Sequence, residues 1–218
     1  MSNGLMRRYT LLFVSLIINA FGVVFITKAA LGTSPISSVP YVLSLTTPLS
    51  FGFYTFLLNV LMVMMEILLM GRREVQCKRM ELLAQIPVVI IFSSSVDMSM
   101  YVLRDFVPTS YPEMLLSLFL GCLIISIGIG WAIKANVAMN PGEYIVRVIC
   151  ARTHKQFGNI KLCLDVTLAI TAILLSIALL HNVTGLREGT LVAALFVGPM
   201  VRLLLPAWRI FDRWLYAE

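Results

Sequence analysis

Apolar residues run almost unbroken through six stretches of this chain, approximately residues 9–28, 51–70, 83–103, 114–133, 158–180 and 189–206. Each is long enough to cross a hydrocarbon core of about 30 Å, which takes roughly 17–25 helical residues. Within such a core every backbone N–H and C=O must be satisfied inside the segment, so the pattern predicts helix for all six. Two further segments, roughly 35–47 and 141–153, begin with proline and are too short to span. Each follows the first long run of its half of the chain. Composition points the same way: 59% of residues are hydrophobic and 13% charged, where an ordinary soluble domain has roughly 45–50% and about 25%. The expected class is an all-α membrane protein, a single transmembrane domain over residues 1–218. The apolar run after Arg7 and Arg8 is longer than a signal-peptide core, so it reads as the first span.

The net charge of +6 does not imply a nucleic-acid partner, because the basic residues sit between apolar runs and form no single face. They read as topology signals. With a cytoplasmic N-terminus the inner segments hold 14 Lys and Arg, and the outer segments hold only Lys28, Arg104 and Arg187. The positive-inside rule then places both termini in the cytoplasm. Trp208, Trp214 and Tyr216, among the last basic residues, are expected to anchor that end at the inner interface.

The chain also repeats itself. Lys28-Ala29-Ala30-Leu31-Gly32-Thr33-Ser34-Pro35, then Phe51-Gly52 and Asn59-Val60, align without a gap on Lys134-Ala135-Asn136-Val137-Ala138-Met139-Asn140-Pro141, Phe157-Gly158 and Asp165-Val166, 106 residues later. Gly22 falls on Gly128 in the same register, and residues 9–70 share 16 identities with 115–176. Three crossings per half, an odd number, make the second half enter the membrane inverted. The expected architecture is six transmembrane helices arranged as two inverted three-helix repeats, about 9–104 and 114–206, each with a short helix after its first span. In proteins built this way substrate sites usually lie near the midplane between the repeats.

The two Lys-to-Pro corners have the chemistry of helix starts. Pro35 and Pro141 suit the first helical position, where the missing N–H costs nothing. Ser34 and Asn140 suit the N-cap, and Asn140 with Glu143 matches a capping box. The short helices are expected either to dip into the membrane as re-entrant half-helices or to lie flat at its interfaces. If re-entrant, their N-termini would present free N–H groups near the midplane from opposite sides. Gly32 has Ala138 as its mate, so the corners are not expected to be identical.

Polar groups inside the spans are costly in lipid and mark candidate sites. Asp165 and its mate Asn59 lie in the fifth and second spans, and Asp97 follows Ser93-Ser94-Ser95 in the third. They suit a substrate or proton path, or else structural hydrogen-bonded pairs. Lys28 and Lys134 either snorkel at helix ends or gate an anion path. Glu66, near the inner end of the second span, is expected to snorkel toward Arg72 or Arg73. Gly121, Ser126, Gly128 and Gly130, with Gly189-Thr190 and Gly198-Pro199, suit close helix packing. The candidate substrate-binding set is therefore Lys28, Ser34, Pro35, Asn59, Asp97, Lys134, Asn140, Pro141 and Asp165.

The four cysteines have no metal-ligand spacing, and His154 and His181 fall in loops without a nearby nucleophile. No metal, no cofactor and no enzymatic activity are expected. The Lys28-x3-Gly32-x-Ser34-Pro35 corner, Phe51-Gly52, Asp97 after a Ser-rich run, Lys134 with Asn140-Pro141, the Phe157-Gly158 to Asp165 spacing, and Gly189-Thr190 with Gly198-Pro199 resemble the YczE/YitT-like bacterial integral membrane proteins. The resemblance spans about Tyr9 to Pro206 and implies a multi-pass bacterial inner-membrane protein of unassigned function; longer relatives carry a soluble C-terminal domain that this chain is expected to lack. The expected partners are the lipid bilayer and a small-molecule or ion substrate, with room for a homodimer. The leading functional expectation is a small transporter of a polar or anionic solute, with Asp97 and Asp165 able to couple it to protons. The alternatives are an aquaporin-like channel, similar in design only, and a non-transporting membrane subunit.

Overall fold

The computed structural model describes residues 3–182 and 185–209. Among them it contains α1 (Asn3–Lys28), α2 (Pro35–Thr46), α3 (Phe51–Leu69), α4 (Arg72–Cys77), α5 (Arg79–Val102), α6 (Tyr111–Ala135), α7 (Pro141–Thr153), α8 (Phe157–Leu180) and α9 (Glu188–Leu204). A turn of 3₁₀ helix follows at Ala207–Arg209. Five helices, α1, α3, α5, α6 and α8, are long and apolar enough to cross a membrane. The sixth predicted span is shorter than its apolar run: α9 has 17 residues, about 26 Å at 1.5 Å per residue. It ends at Leu204, and Leu205, which keeps helical dihedrals (φ −50°, ψ −41°), and Pro206 form a turn into the 3₁₀ helix.

The helix ends follow from local chemistry. Pro35 and Pro141 each open a helix, as expected. The Ser50 hydroxyl accepts the Phe53 N–H (3.0 Å) at the start of α3. Glu113 accepts the Thr109 N–H (3.0 Å) and seals the start of α6. The Asn140–Glu143 capping box does not form: the Asn140 side chain makes no cap hydrogen bond. Ser34 likewise stands at the N-cap but shares its hydroxyl with Ser37 (2.9 Å).

α1 and α6 form the central pair. A Cβ placed on Gly22 would stand 2.8 Å from the Ile125 backbone nitrogen, one on Gly128 2.9 Å from that of Asn19, and one on Gly121 3.1 Å from that of Ile26. Residue numbers fall along α6 as they rise along α1, so the pair is antiparallel. Only glycine lets two backbones approach this closely. Around this contact the core collects Leu12, Leu16, Ala20, Val24 and Ile26 of α1, Leu118, Cys122 and Ile125 of α6, and Val88, Phe92 and Val96 of α5.

The outer helices attach in matching fashion. α5 packs on α1 and α9 on α6; α2 packs on α8 and α7 on α3; α2 also meets α3, and α7 meets α8. One pairing lacks a counterpart. α3 packs closely on α5, whereas α8 and α9 share no comparable contact. Gly189 donates its N–H to Leu31 O (2.8 Å), which fastens α9 to the first corner. A Cβ placed on Gly198 would meet nothing within 4 Å among the described residues, so no close packing is seen there. Trp208 is buried with its ring on Gly130 of α6 and is therefore a packing residue, contrary to the expectation of an interfacial anchor. Trp214 and Tyr216 lie outside the described residues.

Candidate functional site

The two corners share a backbone device. Ala30 (φ 60°) and its mate Asn136 (φ 46°) both adopt the left-handed conformation, which costs a non-glycine residue about 1–2 kcal/mol. Each carbonyl is held by an arginine from a distant part of the chain. Arg187 Nη1 donates to Ala30 O (3.2 Å), and Arg8 donates through Nη2 to Asn136 O and through Nε to Ala135 O (2.8 Å). The corners then diverge. Gly32 takes φ 122°, a conformation its mate Ala138 does not share.

The first corner is packed shut. Leu31, Thr33 and Ser38 are fully buried, and the Thr27 and Thr33 hydroxyls share a hydrogen bond (2.8 Å). The second corner opens onto a cavity of about 370 Å³. Its walls are the Asn136–Asn140 corner, the Leu12–Asn19 face of α1, the Ile129–Ile133 end of α6, Glu81 of α5, and Glu143, Tyr144 and Arg147 of α7. Both halves of the chain line it. Asn140 Oδ1 is buried here with no hydrogen-bond partner among the described residues. A buried carbonyl oxygen left unsatisfied costs about 1–3 kcal/mol, a cost that an N–H or O–H brought against it would relieve. Tyr144 donates its hydroxyl to Glu81 Oε2 (2.8 Å). Burial, then the bond and charge of Glu81, push the Tyr144 phenol up, which keeps it a neutral donor.

Of the predicted site residues, Asn140 lines this cavity, with Pro141 next to it in sequence. The others lie elsewhere. Pro35 begins α2 beside Ser34. Lys28 ends α1, where its ammonium donates to Arg104 O (3.4 Å), and Lys134 lies in the last turn of α6. Asn59 is buried, with its amide on Thr55 O (2.9 Å). Asp165 pairs with Lys161 one turn back on α8. Asp97 holds the start of α3: Oδ1 accepts the Gly52 N–H and Oδ2 the Ser50 hydroxyl, both at 2.7 Å. It caps a helix that begins on a neighbouring element, an arrangement invisible to sequence spacing. Replacing Asp97 by Ala strips both donors of their acceptor. Charge-assisted bonds of this kind are worth about 1.5–3 kcal/mol, and thermal unfolding in detergent is expected to show a loss of that order, smaller for Asp97→Asn.

Residues 6–206 match the model of a protein family described as a family of unknown function, DUF6198. The chain belongs to that family. No curated protein and no solved structure matches it. None of these findings links it to the YczE/YitT-like proteins.

Asn19, Glu143 and Arg147 line the cavity although none was among the candidate residues. Asn19 carries a signal, being a polar residue in the middle of the first apolar run. Glu66 departs furthest from expectation. It does not snorkel toward Arg72 or Arg73: it is completely buried, and Gln85 Nε2 of α5 donates to its Oε2 (3.0 Å).

Proposed function

We propose that this protein is a small bacterial inner-membrane transporter, with both termini cytoplasmic, that binds a small polar solute in the cavity at the second corner. In this reading its two halves are inverted repeats and α2 and α7 are re-entrant. Three contacts support that arrangement. The Gly22 contact on Ile125 maps, under the 106-residue offset, onto the Gly128 contact on Asn19. The left-handed Ala30 and Asn136 are mates. Gly142, the residue after Pro141, packs against Ile36, the residue after Pro35, so the starts of the two short helices meet.

The observation that carries the transport reading is the inequality of the mated corners, one sealed and the other open on a cavity lined by both halves. A continuous pore needs both open at once. A carrier exposes its site to one side at a time. Two carboxylates, Glu81 and Glu143, against one guanidinium, Arg147, favour a solute bearing an amine or hydroxyl donor over an anion. The volume lies at the small end of ligand pockets, about 300–1,000 Å³.

A thermal-shift screen of small amines, amino acids, polyols and anions on purified protein, followed by uptake into proteoliposomes, tests this. A donor-bearing solute is expected to stabilise the protein and to accumulate, and Asn140→Leu is expected to weaken binding about tenfold, the worth of roughly one hydrogen bond. Stabilisation by anions alone, or uptake indifferent to Asn140→Leu, would overturn the assignment.

A further inference from the structure

Glu66 and Gln85 lie on the facing sides of α3 and α5, about a turn from the end of α3 and two turns from the start of α5. Glu66 is 0% exposed and Gln85 1%. Their one hydrogen bond, Gln85 Nε2 to Glu66 Oε2, leaves Glu66 Oε1 and Gln85 Oε1 buried without a partner among the described residues. Both orphans are acceptors. No rotation of the amide cures this, since turning it over would put oxygen against oxygen and lose the existing bond. A single proton on Glu66 Oε1 cures both, because the acid O–H can donate to Gln85 Oε1 while the amide N–H keeps Oε2. The result is a neutral eight-membered acid–amide ring.

We infer that Glu66 is a proton-binding site, its carboxyl held as the neutral acid in a cyclic pair with the Gln85 amide. An ionised carboxylate in this position would be a buried charge without a cationic partner among the described residues, a state that proteins avoid by neutralising the group. Tyr144 of α7, the helix packed on α3, lies within electrostatic reach of Glu66 and of Arg147 and donates its hydroxyl to Glu81. Glu81 stands one turn before Gln85, on the same face of α5, and lines the cavity. The proton site therefore sits behind the cavity wall, separated from it by the Tyr144–Glu81 pair. A metal cation fits poorly, because it needs several oxygen ligands, and the neighbouring cluster is Met70, Leu82, Tyr144 and Val148. The inference goes beyond the transport reading and does not depend on what the cavity takes.

Infrared spectroscopy of the full chain in liposomes, at neutral pH and without added solute, tests it through the carbonyl stretch of protonated carboxyl groups. The wild type is expected to show such a band, and Glu66→Gln, which can form an amide–amide ring of the same shape, is expected to lose it. Gln85→Leu removes the ring partner and is expected to shift the band to higher frequency. Should Glu66→Gln fail to fold, the Gln85→Leu comparison decides alone: a shift supports the site and an unmoved band overturns it. A wild-type spectrum without the band, a band that survives Glu66→Gln, or a band abolished by sodium at constant pH would each overturn the proton assignment, the last in favour of a metal cation.

Discussion

Gly128→Val is expected to abolish recovery of folded protein, and Gly22→Val to do the same. At both positions the obstacle is backbone of the facing helix, 2.9 Å from a Cβ on Gly128 and 2.8 Å from one on Gly22. Neither neighbour can rotate away, so α1 and α6 must separate along the contact around which the core is assembled. Overpacking that flexible side chains can absorb costs about 1–3 kcal/mol; separating the central pair exceeds that range and approaches the whole stability of a small domain, about 5–15 kcal/mol. Gly198→Val and Gly158→Ala are the controls, because a Cβ at either position meets nothing within 4 Å among the described residues. Both are expected to fold as well as wild type. Yield and monodispersity by fluorescence-detected size exclusion, with thermal unfolding in detergent, check all four. Equal loss at Gly22 and Gly128 is the signature expected of repeat mates.

The second large effect concerns access. Thr33 and Met139 are mates under the 106-residue offset, yet Thr33 is 0% exposed and Met139 37%. With cysteine placed at each in a background lacking the four native thiols, a water-soluble thiol reagent is expected to label position 139 freely and position 33 at least about tenfold more slowly, the slowing set by a minor state populated below about 10%. A transported solute at saturating concentration is expected to narrow that difference. Equal labelling in its absence would mean that the sealed corner is no barrier, and the carrier reading would give way to a channel.

Much of the architecture was legible because lipid simplifies the problem. Long apolar runs in that solvent can only be helices, and α2 and α7 begin at Pro35 and Pro141 because proline fits the first helical position. Gly22 and Gly128, identical at the 106-residue offset, both meet a packing requirement of the α1–α6 contact. Less legible was the rotation of each helix about its own axis. A run that is apolar all round carries little information about which face turns inward, so Glu66, four residues from the end of the α3 run and close to Arg72 and Arg73, read as snorkelling when it points wholly into the protein. For Asp97 and Asp165 the pattern left a solute or proton path and a structural pairing both open, and the structure shows the pairing, because the start of α3 and Lys161 become partners only in the folded helices. The cavity escaped the sequence for a related reason. Asn140 was expected to cap its own helix, and instead its side chain makes no cap bond and its Oδ1 is buried without a partner among the described residues, at a cavity that Asn19 and Glu81 also line.

The close packing of α3 on α5, with no equivalent between α8 and α9, has a chemical cause. Asp97 ties α5 to the start of α3, and Glu66 with Gln85 ties the two helices again near the opposite end. These rivets sit about 21 Å apart along α3 at 1.5 Å per residue. In the other half, the positions that correspond to Asp97, Gln85 and Glu66 are Leu203, Leu191 and Ala172, and the two leucines are 80% and 69% exposed. Three polar side chains thus brace α3 against α5, and the positions 106 residues later carry no such groups. The α3–α5 pair is cross-braced at both ends, and Glu81 of α5, one turn from Gln85, carries that brace to the cavity wall.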